Sequence, residues 1–549
     1  MVYDDFLYDD LLYEDLHMNK TIFLSFLAFV TCAGLVAIYK SRKVSSRTSI
    51  AFFLGNRSLG FWMIGCSLFL TNMSANQFIG ENEFVYTTNM SVMAWGMSSV
   101  FAMLVVAEFL MPVYLRIGAV TTPDFLQLRF DRQTKVMVSV IFLLSYMINL
   151  IPSVLYGCAV AINGIFHIDQ QFGLSYLASI RLLVCFLGLI GALYSVLGGF
   201  KVIVISDIIQ GVGMLVGAMC IAWFGFRQLG GGHVAAGIRR LLDSHQDHLN
   251  AIGGPHATWP MSTMFTGMLL INLYYWGMEQ YIVQEALASK SLAAGQKGIS
   301  LACVGKLTAP LLLNVPGLIA VHLYAHVDNT AAIFPRLVGD ILPPVLAGFI
   351  AAIVFGGALS IFNAGVNSLG TLFVVNLYRP WAERSGGQAD DRRLLRAGKG
   401  FQLLVIAAAV CFSPYILFVH GGFYNYLQKV SSFFSVPVFT VMTVGLLTKK
   451  VPAIAAKAGL VFFIVAYVLT QFVFPIGINH LHVLGILFVV TVVLMLMIGR
   501  LWPRDSPYKM LTTAVVPLQP WKNRWWVFAA LLFLMIGMFI LFSPLGIAR

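Results

Sequence analysis

The chain has 549 residues, of which 59% are apolar and only 11% charged, against roughly 25% charged residues in ordinary soluble domains. This balance excludes intrinsic disorder and a soluble cytosolic enzyme, and it describes a polytopic membrane protein. The formal charge of +12 does not point to nucleic acid, because the lysines and arginines sit in short clusters between apolar runs.

Residues 1–20 form an acidic head containing a second methionine, Met18. It is an outward tail, or upstream sequence if Met18 is the true start, and it lacks the basic region of a cleavable signal. A membrane span needs about 20 mostly apolar residues, and fourteen stretches qualify. One extra N-terminal helix lies at 21–39, five spans fall within 59–226, five within 262–447 and three more within 451–543. A connection rich in Gly and His covers 227–261, and an Arg- and Asp-rich stretch covers 379–399. Neither is long enough to bury a core of its own, so no catalytic or signalling domain is expected. With strict alternation, 26 of the 35 lysines and arginines fall on one side and 8 on the other. The positive-inside rule then places both termini outside the cell, extracellular or periplasmic, in a plasma membrane such as the bacterial inner membrane. The seven cysteines have no disulfide or zinc spacing and read as small buried hydrophobes.

Two spans carry polar clusters at mid-depth, where hydrocarbon offers no partner. The second reads SLFLTNMSANQFIGENEF, with Asn72, Ser74, Asn76 and Gln77 followed by Glu81, Asn82 and Glu83. Five spans later, INLYYWGMEQYIVQ brings Asn272, Tyr275, Trp276, Gly277, Glu279 and Gln280. A helix that unwinds at such a cluster presents backbone groups to a cavity. Blocks of five spans, an odd number, invert the second block relative to the first. The predicted arrangement is therefore an inverted repeat with a solute site between two broken helices near the midplane. Polar helix–helix packing is the alternative reading of both clusters.

The chemistry of the clusters suits a neutral, hydroxyl-rich solute. Gln77, Asn272 and Gln428 both donate and accept hydrogen bonds, as a sugar hydroxyl does. Tyr275 and Trp276 offer flat apolar faces to a ring. Lys306, alone at mid-span in GISLACVGKLTAPLLL, can donate to a hydroxyl or serve as counter-ion to Asp207 or Glu279. No arginine sits mid-span to fork onto a carboxylate substrate. Asp207, in KVIVISDIIQ, is either the oxygen anchor of a cation path or an acceptor for neighbouring backbone. Ser360, in GGALSIFNAGVNS, can add a hydroxyl to the same ion beside unwound carbonyls near Leu70 and Met73.

Several long motifs in one order, SANQFIG, LYSVLGGFKVIVISDIIQ, NLYYWGMEQYIVQEALASKS and FNAGVNSLGTLF, make the chain resemble the sodium/solute symporter family over roughly 50–475. Within it, the sodium/galactose (sodium/glucose) branch is the nearest likeness. The resemblance implies an all-α integral membrane protein with a LeuT-type five-plus-five inverted repeat, added helices and about fourteen spans. It implies sodium-coupled uptake of a neutral sugar, such as a hexose or related polyol, by alternating access, with sodium co-transported and no organic cofactor. On that likeness Gln77, Ser99, Asn272, Lys306 and Gln428 match sugar-contacting positions. Tyr275 matches the aromatic residue that closes the sugar site, with Trp276 beside it, and Trp95 is a preserved aromatic. Sodium is expected at Leu70, Met73, Gly357 and Ser360, with Asp207 at the family's acidic position. Two departures stand out. Gly96 replaces a sugar-binding glutamate, which Glu81 or Glu83 would have to supply unless the substrate lacks those hydroxyls. Ile361 follows Ser360 where a second hydroxyl is expected, leaving proton-coupled or uncoupled transport as alternatives.

Other cargoes (sialic acid, inositol, a nucleoside) and a sodium-permeable channel or a sensor on the same scaffold are the rival readings. The chain has no phosphate-binding Gly-rich loop ending in Lys-Ser/Thr and no H-E-x-x-H pattern, which argues against an ATP-driven pump or an embedded enzyme. His245 and His248, three apart in the connection, read as solvated loop residues or a metal pair. The expected partners are sodium, a small neutral solute such as a monosaccharide, and the bilayer, with no nucleic acid; the oligomeric state is not legible.

Overall fold

The computed structural model describes residues 20–36, 39, 57–73, 75–197, 200–255, 257–327, 329–384, 390–418, 423–474, 476–510, 513 and 516–548. Nearly all of the acidic head, Ser74, and the side chains of Leu70, Asn76 and Asp207 lie outside the described residues. The described chain is helical. Eleven helices are long and apolar enough to cross a membrane, and Lys20–Val36 is a shorter apolar helix.

We label Lys20–Val36 α1, Phe61–Asn72 α2, Ala75–Thr87 α3, Met90–Arg116 α4, Arg132–Phe166 α5, Tyr176–Leu197 α6 and Phe200–Leu229 α7. The connection contributes α8, Val234–Asp243. Then follow α9 (Gly267–Gly277), α10 (Gln280–Leu287), α11 (Leu292–Leu323), α12 (Pro344–Glu383), α13 (Asp391–Phe418) and α14 (Phe423–Leu447). The C-terminal helices are α15 (Ala453–Gln471), α16 (His480–Leu501) and α17 (Arg524–Leu541). Counting α2–α3 and α9–α10 as one interrupted span each, and adding α1, accounts for the fourteen expected stretches.

The packing is reciprocal. Helix α2 packs on α11, and its counterpart α9 packs on α4; α3 packs on α5 as α10 packs on α12; α6 packs on α5 as α13 packs on α12. Exchanging the two blocks reproduces the same neighbours, which is what a pseudo-two-fold relation requires. Small residues let these helices approach closely. A Cβ on Gly65 of α2 would lie 2.9 Å from the Gly298 carbonyl of α11, and one on Gly298 would lie 3.1 Å from the Phe61 carbonyl.

The outer surface is apolar, as lipid demands. On α16, Ile486, Val489, Val493 and Met497 are all exposed along one side. Cysteines follow the same logic: Cys158 and Cys303 are buried, but Cys32, Cys185 and Cys411 are exposed. This corrects the expectation that all seven are interior, since a thiol facing hydrocarbon need not be covered by protein. The connection is also more structured than its composition suggests. Trp259 is buried and stacks on Phe84 of α3 at 3.9 Å and 4°, with its edge toward Trp95.

Candidate functional site

Both polar clusters are helix breaks. Helix α2 stops at Asn72 and α3 starts at Ala75; α9 stops at Gly277 and α10 starts at Gln280. At the second break, the N–H groups of Met278 and Glu279 both turn back onto the Tyr274 carbonyl. The Gly277 carbonyl, freed by the turn, accepts from the Tyr114 hydroxyl at 2.9 Å. The Glu279 carbonyl accepts from Ile282 and Val283 and so opens the next half-helix. Backbone groups released inside a membrane protein must find partners of this kind.

A cavity of about 180 Å³ lies between the breaks. It is smaller than the roughly 300–1,000 Å³ of sites for drug-sized ligands, and its size suits a small molecule. Gln77, Trp95, Ser99, Asn272, Tyr275, Lys306 and Gln428 all line it. Trp276 does not. It lies behind the lining, buried, with the Lys306 ammonium 6.0 Å from its ring centroid. Gly96 also lines the cavity, and a Cβ built there would meet nothing within 4 Å. The position of the missing glutamate is therefore open space.

The lining residues differ in how committed they are. Asn272 is held from several directions: its Oδ1 accepts from Ser99 at 2.6 Å, and its Nδ2 donates to Ser98 at 2.8 Å and to the Met268 carbonyl at 3.2 Å. The amide thus locks α9 to α4, and Ser99 is part of that lock. Tyr275 bridges the two breaks, accepting from Asn72 Nδ2 at 2.9 Å and from the Tyr281 hydroxyl at 2.9 Å. Lys306 is buried, and among the described side chains the opposite charge that acts on it is Glu81 of α3 rather than Glu279.

Sequence reasoning missed one wall of the site. Ser145, Tyr146, Asn149 and Ser153 of α5 face the cavity, together with Glu279 and Tyr281. Tyr146 and Tyr274 both hydrogen-bond the Glu279 carboxylate. A signal existed: Ser145, Asn149 and Ser153 recur every four residues, which puts them on one face of a helix.

For the expected sodium ligands the structure gives partial geometry. Gly357 of α12 faces the Met73 carbonyl, which a Cβ would meet at 3.4 Å. Ser360 lies one turn along α12 and is buried, and Ile361 points into the cavity. Leu70 belongs to the last turn of α2. The Met73 carbonyl and Ser360 thus lie where α2 ends against α12, and oxygen donors of this type suit a hard cation. Among the described residues no three His, Cys, Asp or Glu side chains gather as a metal site. The rings of His245 and His322, which the sequence did not connect, lie 4.8 Å apart.

Comparison with known proteins follows this geometry. The family model for the sodium:solute symporter family matches residues 52–462. An uncharacterized symporter, YidK of Escherichia coli, is 36% identical over 529 residues, covering 96% of this chain and 92% of that protein. A sodium/glucose cotransporter of Vibrio parahaemolyticus is 26% identical over 463 residues, covering 80% of this chain and 82% of its own length. A solved structure of a Na+-coupled sialic acid symporter, substrate-bound and outward-open, superposes with a TM-score of 0.73 at 19% identity, covering 89% of this chain and 99% of that one. That likeness shows a LeuT-type fold, and the relatives are transporters rather than enzymes. The chain belongs to the sodium:solute symporter family.

Proposed function

We propose that the protein takes up a neutral monosaccharide or related polyol together with sodium, binding the solute between the two helix breaks. The observation that carries this reading is the lining of the cavity. Gln77, Gln428, Trp95 and Tyr275 all line one small cavity, pairing amides for hydroxyls with aromatic rings for a ring. Among the described residues Lys306 is the one lysine or arginine that lines the cavity, and the charge of Glu81 acts on it. A lysine with an acidic neighbour is a weaker anchor for an anionic substrate than an isolated one. Sodium is assigned to the Met73 carbonyl, Gly357 and Ser360, with Leu70 and Asp207 as the remaining family positions.

The energetics suit accumulation of a neutral solute. One cation crossing about 100 mV contributes roughly 2.3 kcal/mol, enough for a gradient of roughly 40- to 50-fold.

Uptake into proteoliposomes tests the reading directly, using a panel of neutral sugars, polyols and sugar acids under inward sodium, inward proton or no gradient. A neutral member is expected to accumulate with sodium only. Gln428→Ala is expected to raise the half-saturating concentration about 3- to 10-fold, the value of one neutral hydrogen bond. Accumulation of sugar acids alone, or unchanged affinity in Gln428→Ala, would count against it.

A further inference from the structure

A cluster of lysines and arginines far from the cavity has no paired carboxylate among the described residues. It lies where α14 ends, α15 begins and α16 ends, three helices that pack on one another. The segment after α16 folds back onto the α14–α15 turn: the Arg504 N–H donates to the Lys450 carbonyl at 2.8 Å, and the Tyr508 N–H donates to the Lys449 carbonyl at 2.9 Å. Arg504 Nη1 donates to the Arg129 carbonyl at 2.9 Å. Arg129 is itself buried, and its bonds go to neutral oxygens: Nε to the Gly445 carbonyl at 2.9 Å, Nη1 to the Val451 carbonyl at 3.1 Å and Nη2 to the Thr448 hydroxyl at 3.1 Å.

Lys449, Lys450, Arg500, Arg504 and Lys509 form no ion pair among the described residues. Of the acids nearby in sequence, Asp131 is taken by Lys457 at 2.8 Å, and Asp505 is exposed. Burial, and then the like charge of Arg504, pushes the Arg129 guanidinium down to about 10. The Tyr508 hydroxyl, on which the charges of both arginines act, has no hydrogen-bond partner. A buried cation without an opposite charge is costly, so the cluster is short of an anion. In the flanking positions Leu447, Ile454, Leu501 and Trp502 are all exposed, apolar surface beside charge, as at the boundary of hydrocarbon and headgroups. The acidic head of the chain is not the missing anion. It joins α1 near the first turn of α12, where Ser25 Oγ donates to the Val345 carbonyl at 3.0 Å. Helices α12, α13 and α14 then cross in turn, which puts the cluster at the opposite face.

We propose that this cluster binds the headgroup of an anionic phospholipid, with Arg504, Lys449 and Lys450 holding its phosphate and Leu447, Ile454, Leu501 and Trp502 lying along its acyl chains. Basic pockets between spans take anionic headgroups in this way, most of all on the cytoplasmic side, the side to which the positive-inside rule assigns this face. Bound there, the lipid ties the segment after α16 to the α14–α15 turn and supplies the opposite charge that Arg129 and Arg504 lack. The site depends neither on the solute carried nor on the coupling ion.

The test is native mass spectrometry of the purified, delipidated full-length protein in detergent, titrated with dioleoyl phosphatidylglycerol or dioleoyl phosphatidylcholine, with and without inorganic phosphate. The wild type is expected to bind one phosphatidylglycerol about 10-fold or more tighter than phosphatidylcholine, and inorganic phosphate is expected not to displace it. Lys449→Gln combined with Lys450→Gln, and separately Arg504→Gln, are each expected to weaken phosphatidylglycerol by about 5-fold or more. Both lysine side chains are exposed, so their double variant carries the test if Arg504→Gln fails to fold. Arg392→Gln combined with Arg393→Gln removes two exposed charges from the start of α13, at the same face, and is expected to leave the preference intact. Equal affinity for the two lipids overturns the proposal, as does displacement by inorganic phosphate. Undiminished binding in the lysine double variant overturns it too, and so does an equal loss in both double variants, which would mark attraction to the basic face as a whole.

Discussion

The two helix breaks occupy matching places in the two repeats, yet they are finished differently. At the first, the groups near the gap are neutral: Asn72 donates to Tyr275, and the Met73 carbonyl faces the bare backbone of Gly357. At the second, a carboxylate sits in the gap itself, and phenols of α5 and α9 converge on it. Pseudo-symmetry therefore fixes where the chain unwinds, but not what charge the unwound segment presents. A symmetric scaffold thus carries an asymmetric site, with neutral oxygens on one side and a buried, phenol-bonded carboxyl group on the other.

Removing one hydrogen bond at each break sharpens this contrast. Tyr146→Phe takes a donor from a buried carboxylate and is expected to cost about 1.5–3 kcal/mol, as bonds to charged groups do. Asn72→Ala removes a neutral bond to Tyr275 and is expected to cost about 0.5–1.5 kcal/mol. Thermal unfolding in detergent compares them, and equal losses would dissolve the distinction between charged and neutral breaks.

Asn272 and Gln428 line the same cavity but are expected to fail in different ways. Asn272→Ala leaves Ser98 and Ser99 without their partner between α4 and α9, so stability should fall by about 1–2 kcal/mol. Gln428→Ala should leave stability within about 0.5 kcal/mol and change solute affinity. Parallel melting curves and uptake assays separate the two, and an unchanged melting curve for Asn272→Ala contradicts its role as a lock.

Gly96 offers a milder probe. Its Cβ direction is open, so Gly96→Ala is expected to alter stability by no more than about 1 kcal/mol, with helix propensity acting in its favour. Gly96→Glu should fold and change the ranking of solutes in competition uptake. A severe folding defect in Gly96→Ala would show that the space is not there.

The smallest expected effect lies outside the spans. Burial raises the Asp131 carboxyl, but Lys457 at 2.8 Å and the backbone and hydroxyl of Thr134 outweigh it and hold the group below the usual carboxylate range. A depressed carboxyl adds stability above its unfolded pKa, near 3.9, and loses it as pH falls through the lower folded value. Both side chains remain partly exposed, so Lys457→Met should cost only a few tenths of a kcal/mol at neutral pH. That difference should fade as the pH falls below the unfolded value and through the lower folded one, which melting curves across pH can check.

The spans and both breaks were legible in the sequence because hydrocarbon punishes polar side chains, so SLFLTNMSANQFIGENEF and INLYYWGMEQYIVQ stand out. The commitments of individual groups were not. That Asn272 is tied to Ser98 and Ser99 depends on the closeness of α4 and α9, more than 170 residues apart in sequence. The wall from α5 escaped notice because Ser145, Asn149 and Ser153 are thinly spread in an apolar run, and a π turn leaves no mark in composition. Lys306 was recognised as unusual, but its opposite charge, Glu81, belongs to a cluster that read as part of the first break. The amphipathic α8 and buried Trp259 likewise lie in a stretch whose Gly and His content reads as loop.

The account rests on the two breaks enclosing one solute site, and Ser431 on α14 faces that site. The most direct measurement is the alkylation rate of a cysteine placed there by Ser431→Cys, in proteoliposomes with and without the proposed sugar substrate, in sodium and in choline. The expected result is slowing by the sugar in sodium and little or none in choline. An alkylation rate indifferent to sugar in both salts would contradict the claim.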